Sequence, residues 1–365
     1  MKAVCKTKDL LQELQKVVKI AGTNQNLPIL STILISASNN DLVIRSTNLD
    51  IGVEIVLPSV VSEDGLVAIP ADVFFKTIQT VQDESIALED DDGGIIVKTK
   101  VNTTKIKGQS VDEFPKLPVV EGGDVVEVDT QTLFEGITAV VYSSSTTTIR
   151  PELSSVYVYS KNKELVFVAT DSFRLAEKRI PIAKGSAPES ILIPYKNAAE
   201  IARITHLVEG TASMRIEETQ VGIHLPQTYI TTRVIDGAFP NYEQIIPQEG
   251  VVTATLLKHD LQNLLKKTSI FTDSFNHITF SLNSKEKEFV ARAQNSDVGE
   301  TTDSIPAKIH GESLEIGFNL RYVLEVLPYI HSESIELIFA GTGKPLLIKG
   351  KSDSSYRYVV MPMNR

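Results

Sequence analysis

Four landmarks recur three times along the chain, in one order and at an almost constant distance. Internal repetition at a fixed period constrains a fold more tightly than any single motif, because each copy must be one supersecondary unit. The first landmark opens an amphipathic segment: KDLLQELQKVV, TQTLFEGITAVV and KHDLQNLLKKTSI align on Leu11, Leu133 and Leu261, 122 and 128 residues apart. The second enters another such segment, aligned on Ile69, Ile193 and Gly317 at 124 and 124. The third is an apolar stretch ending in a polar turn, RSTNLD, VATDSF and RAQNSD, with Thr47, Thr170 and Gln294 spaced by 123 and 124. The fourth places an apolar residue before Pro115, Pro240 and Pro362, 125 and 122 apart. The expectation is three tandem domains, residues 1–121, 122–248 and 249–365. The length of 365 residues also exceeds what one ordinary core serves.

Between the helical segments the pattern changes to period two. ILSTILISASNNDLVIRSTNLDIGVEIVL alternates apolar and polar residues, with Asn39-Asn40 as a turn signal, and ESIALEDDDGGIIVKT reads as a hairpin with EDDDGG at its tip. The fold class is α+β: each repeat packs two helices on antiparallel sheet with one face buried. Helices are expected near 8–20, 70–82, 129–143, 194–208, 258–271 and 317–330. Strand edges left open at the two ends of such a series invite pairing with a second copy.

The net charge is -10, which on average repels nucleic acid and membrane surfaces. Its distribution matters more. The six helical segments carry ten basic and eight acidic residues, a net +2, leaving -12 on everything else. A solvated amphipathic face explains so modest a separation without any ligand. No apolar run approaches the roughly 18 residues that span a bilayer, and MKAVCKTKDLLQEL turns amphipathic at once, with no leader-type apolar block. Cys5 is the only cysteine, so neither an intrachain disulfide nor a cysteine metal cluster can form. A cytoplasmic protein without membrane attachment is expected.

No catalytic constellation is visible. The six histidines lack metal-binding spacing beside a glutamate. GTGKP at Gly341–Pro345 is too short for a phosphate loop and puts Pro345 where a hydroxyl residue and a helix should follow, so it reads as a β-turn. EDDDGG lacks the alternating ligands and closing glutamate of a calcium loop. Asp171 has no complementary nucleophile motif. The polar run YSSSTTTIRP, Tyr142–Pro151, is a loop with Arg150 as its only charge. The YVVMPM tail, Tyr358–Met363, stays apolar where chain ends usually fray. It is the third copy of a domain-closing element, and ordinary core packing is its plainest reading.

The whole chain resembles the bacterial DNA polymerase III beta subunit family, the sliding clamps. LPIL at Leu27–Leu30, VATDSFRLA at Val168–Ala176, AFPNYEQIIP at Ala238–Pro247 and the YVVMPM tail carry the match. The resemblance implies three DNA-clamp domains forming a half ring, and a head-to-tail homodimer closing around duplex DNA. It implies no enzyme activity, no cofactor and no metal. The implied partners are the replicative polymerase, the clamp loader and other motif-bearing replication and repair proteins. It also implies a partner-peptide pocket of Leu153, Thr170, Ser172, Phe173, Arg174, Leu175, Pro240, Ile245, Pro345, Val359, Val360, Met361, Pro362 and Met363. Methionine suits a surface that accepts several peptides. Lys196 and Arg203 match family positions facing DNA; Arg150, Lys16, Lys76, Lys258, Lys266 and Arg321 are assigned to that face by location alone.

The chain departs from the family pattern at Ser172-Phe173, where Gly-His is common, and the larger aromatic is expected to narrow a subpocket. Asp72, Pro151, Glu152 and the Thr23–Asn26 stretch also depart, which predicts weaker DNA contact in the first repeat. Two other readings are a repeat-built scaffold that binds only proteins and a β-rich hydrolase.

Overall fold

A computed structural model describes residues 1–22, 27–185 and 190–363. Six helices appear where the 3.6-residue periodicity places them: α1 Thr7–Val17, α2 Ala71–Gln79, α3 Thr130–Val141, α4 Tyr195–His206, α5 Lys258–Thr268 and α6 Leu320–Val326. In α1 the buried residues Leu10, Leu14 and Val17 form one stripe, the pattern of a helix that buries one face. The helices are shorter than expected because their ends tighten. α5 and α6 pass into 3-10 turns at Ser269–Phe271 and Leu327–Tyr329, the latter containing Pro328, which cannot continue a helix. The Asn319 side chain caps α6 by accepting from the Arg321 amide at 3.0 Å.

One local element was not foreseen and one expectation is corrected. Ahead of the helix expected from residue 8, Lys2–Lys6 is a strand with alternating burial. Equivalent strands, Asp124–Asp129 and Val252–Leu257, precede α3 and α5. Pro28–Ser31 forms a 3-10 turn rather than strand, because Pro28 presets φ and lacks the N–H that a ladder requires. The Thr23–Asn26 departure lies outside the described residues.

The chain divides into two compact units, residues 1–135 with 181–236, and residues 136–180 with 237–365. The middle repeat contributes to both, because sheets run on from one repeat to the next. In the first unit, Thr228–Arg233 pairs antiparallel with Ile51–Pro58. In the second, Arg174–Pro181 pairs with Tyr356–Val360. The first unit also holds a five-stranded sheet ending on Thr103–Lys107, and the second a four-stranded sheet ending on Gly299–Pro306.

The polar-turn landmark has the same construction in two repeats. The Thr47 hydroxyl accepts from the Leu49 amide and donates to Ile51 O, both 3.0 Å, and Leu49 has φ 78°. The Thr170 hydroxyl accepts from the Ser172 amide at 3.2 Å and donates to Arg174 O at 2.7 Å, and Ser172 has φ 78°. Asn48 and Asp171 each accept two backbone amides on one side-chain oxygen. In the third repeat, the Asn295 side chain accepts from the Asp297 amide at 2.9 Å. These are the short Asx and Thr turns that such side chains favour.

Candidate functional site

The second unit brings the 170s turn and the tail together by backbone pairing. Arg174 and Leu175 face Val360 and Val359 across an antiparallel ladder. On its other side the tail strand pairs with Leu346–Gly350, setting Leu346, next to Pro345, opposite Val360. Beyond the ladder the Met361 amide donates to Phe173 O at 2.8 Å, and the Met363 amide to Gly317 O at 2.9 Å. Met361, Pro362 and Met363 are therefore ordered yet only half-buried.

Leu175 and Val359 belong to a buried cluster with Val166, Val168, Leu347, Tyr242 and Ile246. Tyr242 and Ile246 bring in the segment that carries Pro240 and Ile245, both exposed. Phe239 stacks on Tyr157, ring centroids 4.7 Å apart. Leu153 is buried at the start of this unit, its amide donating to Arg150 O at 3.0 Å. The named residues thus combine a packed floor that includes Leu175 and Val359 with an exposed apolar rim; Leu153 and Val360 are also buried. Phe173 is 62% exposed, so its bulk adds to the rim.

Two polar networks support the turn, and neither was foreseen from sequence. The Arg174 guanidinium donates to Asp171 Oδ2 at 2.9 Å, to Tyr142 O at 2.7 Å and to Glu325 of α6. It also lies over the Tyr322 ring, 4.5 Å from the centroid. Burial alone would raise the Glu325 carboxyl, but hydrogen bonds from Arg321 and Arg174 outweigh it and hold it below the usual carboxylate range. Beneath the apolar cluster, Glu177 is 1% exposed and accepts from Arg357, Arg179 and Tyr242. The Tyr242 hydroxyl also meets the Tyr159 hydroxyl at 2.7 Å. Burial first, then its bonds to Tyr159 and Glu177, push the Tyr242 phenol far above its usual range. Alternation along Arg174–Pro181 would have put Glu177 on the same face as Leu175, a warning that this carboxylate needed buried partners.

Ser172 holds a left-handed conformation that glycine adopts without strain. Relief of about 1–2 kcal/mol, set against a glycine entropy cost of about 0.5–1 kcal/mol, predicts that Ser172→Gly stabilises the chain slightly. A urea melt should show a gain of about 0.5–1 kcal/mol; a loss of that size would mean the serine makes a contact that outweighs its strain.

The eight expected DNA-facing cations differ sharply in availability. Lys196, Lys266 and Arg150 are exposed, and none of their side chains makes an ion pair among the described residues. Lys76 and Arg321 are exposed but paired one helical turn away with Asp72 and Glu325. The Lys258 amine is bound to Ile330 O at 2.6 Å. Arg203 donates to Gln15 O and Lys16 O, fixing the end of α1, and pairs with Glu200. Lys16 is 4% exposed, with its amine on Glu13. Among the described residues, no group of three or more His, Cys, Asp or Glu is placed to hold a metal ion, and no helix is long and apolar enough to cross a membrane.

Repeated helix–sheet units sharing sheets across their junctions, with exposed apolar side chains at one turn, define the clamp class of repeat protein. Family models for the DNA polymerase III beta subunit match the chain in series: the N-terminal domain at residues 1–118, the central domain at 127–241 and the C-terminal domain at 243–364. The chain belongs to that family, the non-enzymatic DNA sliding clamps of the replicative polymerase. It is 26% identical to the beta sliding clamp of Synechococcus elongatus, over 100% of this chain and 99% of that one. Identity to the beta sliding clamp of Haemophilus influenzae is 27%, over 97% of each chain. The Thermotoga maritima DNA polymerase III beta subunit structure superposes with a TM-score of 0.93 at 25% identity, covering 100% of this chain and 99% of that one. The Bacillus subtilis DNA polymerase sliding clamp gives 0.94 at 23%, with the same coverage.

Proposed function

We propose that short apolar motifs of the polymerase, the clamp loader and other replication and repair proteins dock on the surface between the 170s turn, the Pro240–Ile245 segment and the tail. The observation that carries this reading is the Met361–Phe173 backbone bond. It holds three half-buried tail residues in place without covering them. Ordered, exposed apolar side chains over a packed floor are what a docking peptide can bury at low ordering cost. The floor residues shape the surface from below, and the rim residues meet the peptide. The protein works in the cytoplasm and needs no cofactor. Two copies join head to tail through free sheet edges, Thr103–Lys107 of one copy meeting Gly299–Pro306 of the other. The first edge carries Lys105 and Lys107 and the second Glu300 and Asp303; Lys105 and Asp303 already pair with Asp91 and Lys267, so Lys107 and Glu300 supply the complementary charges.

Duplex DNA is held by enclosure more than by affinity. Lys196, Lys266 and Arg150 supply weak contacts to phosphate that read no sequence. With about three free cations per copy, and Arg321 as a fourth where it leaves Glu325 for phosphate, DNA affinity should fall with log salt at a slope of only about three to four per copy. Charge reversal separates two roles that the family resemblance assigns alike. Lys196→Glu should lower processivity in a primer-extension assay and leave the melting curve unchanged. Arg203→Glu should also destabilise the chain by about 2–3 kcal/mol, because it strips two carbonyls at the end of α1 of their donor. Equal stability of the two variants would remove Arg203's structural role; unchanged processivity with Lys196→Glu would favour a scaffold that binds proteins alone.

A further inference from the structure

We propose that Glu325 is a positioning residue for the docking turn, shared between Arg174 and Arg321, so that phosphate engaging Arg321 tightens peptide binding at the turn. The inference rests on the docking reading above and adds its regulation. Its basis is an unbroken chain of contacts. Asp171 Oδ1 accepts from the Phe173 and Arg174 amides, both 3.0 Å, and its Oδ2 accepts from Arg174 Nε at 2.9 Å. Arg174 Nη1 reaches Glu325 Oε2, and Glu325 Oε1 accepts from Arg321 Nε at 2.6 Å. The turn backbone is thereby connected to an exposed cation on α6 through two carboxylates and one guanidinium.

The two arginines are unequal. The Arg174 side chain is 10% exposed, with a ring below it and a carbonyl on Nη2, so it has nowhere else to go. The Arg321 side chain is 70% exposed and, among the described residues, pairs with Glu325 alone. One carboxylate serving two cations binds each less tightly than it would bind one, because the cations repel each other and divide its charge. A phosphate anion competes for Arg321 and not for Arg174. When Arg321 turns to phosphate, Glu325 is left to Arg174 alone. Arg174 is then held more firmly against Asp171, and the Phe173 carbonyl that anchors Met361 moves less. The coupling is reciprocal: a bound peptide that stiffens the turn favours release of Arg321 to phosphate.

The test measures anisotropy of a fluorescein-labelled Gln-x-x-Leu-Phe peptide on the full chain, with and without a short blunt DNA duplex. In the wild type, duplex should tighten the peptide Kd about fivefold. Arg321→Gln should bind peptide as tightly without duplex as the wild type does with it, and ignore added duplex. Glu325→Gln should weaken peptide binding about tenfold in either condition. It should also shift and broaden the Arg174 Nε–H resonance, which a merely structural role for Glu325 would leave in place. Inorganic phosphate exchanged for chloride at equal ionic strength shows whether free anion suffices or a duplex backbone is required. Wild-type peptide binding that neither duplex nor Glu325→Gln alters overturns the coupling and leaves the docking surface standing. No peptide binding by the wild type overturns both.

Discussion

Stopped after Val360, the chain should lose roughly 100-fold in affinity for a clamp-motif peptide, equivalent to about 3 kcal/mol, and remain a folded dimer. The size follows from what is removed. Met361, Pro362 and Met363 contribute half-buried apolar surface next to a packed floor, where docking energy concentrates in a few side chains. Their loss also frees the Phe173 carbonyl, so the turn loses a backbone tie as well as a wall. Folding should survive, because the ladder of Tyr356–Val360 with both neighbouring strands is untouched. Peptide titration by anisotropy reports the first effect, and sedimentation with thermal melting reports the second. Undiminished peptide affinity would show that the tail is only packing. A collapsed melting curve would show that Met361 and Met363 hold the sheet together.

Glu177→Ala should be the most damaging single substitution for stability, at about 3 kcal/mol or more. Glu177 is fully enclosed and accepts from two arginines and a tyrosine. Removing it leaves Arg357 and Arg179 facing each other over an empty carboxylate site, and Tyr242 without its main acceptor. The arginines are each about a quarter exposed, so water partly compensates them, which places the effect at the lower end of the range for a broken buried pair. Tyr242 pins the segment carrying Pro240 and Ile245, so peptide affinity should fall along with stability. Urea denaturation checks the first expectation; a change under 0.5 kcal/mol would mean that the network contributes nothing net. Tyr242→Phe removes only the hydroxyl and should cost about 1 kcal/mol, which separates the charge contribution from the tyrosine's.

Much of this is legible in the sequence. The 123- and 124-residue spacing of Thr47, Thr170 and Gln294 survives as a turn whose Asx side chains hold backbone amides in all three copies. Helix positions were legible because apolar stripes such as Leu10, Leu14 and Val17 have one period and strands another. The strands opening each repeat were not, since Lys2–Lys6 runs straight into α1 with no turn signal between them. The polymeric partner and the docking residues came from resemblance, because alternation cannot distinguish a packed tail from a docking tail. Charge availability was beyond reach for a geometric reason. Lys16 and Lys266 look alike in a helical segment, yet one is buried on Glu13 and the other is open to solvent. Arg174 finds Glu325 151 residues away, a pairing that no local pattern encodes.

The position of the tail strand bears on how the protein is made. Tyr356–Val360 lies between Arg174–Pro181 and Leu346–Gly350, in the interior of its sheet. Of the strands described, it is the last to leave the ribosome. Chains generally fold from the N-terminal side as they are synthesised, and here the strand at 174–181 waits with an unpaired edge until Tyr356–Val360 has been made. A nascent chain without Tyr356–Val360 therefore cannot close this edge of the sheet. On such a chain the 170s turn also lacks the Met361 amide that holds the Phe173 carbonyl.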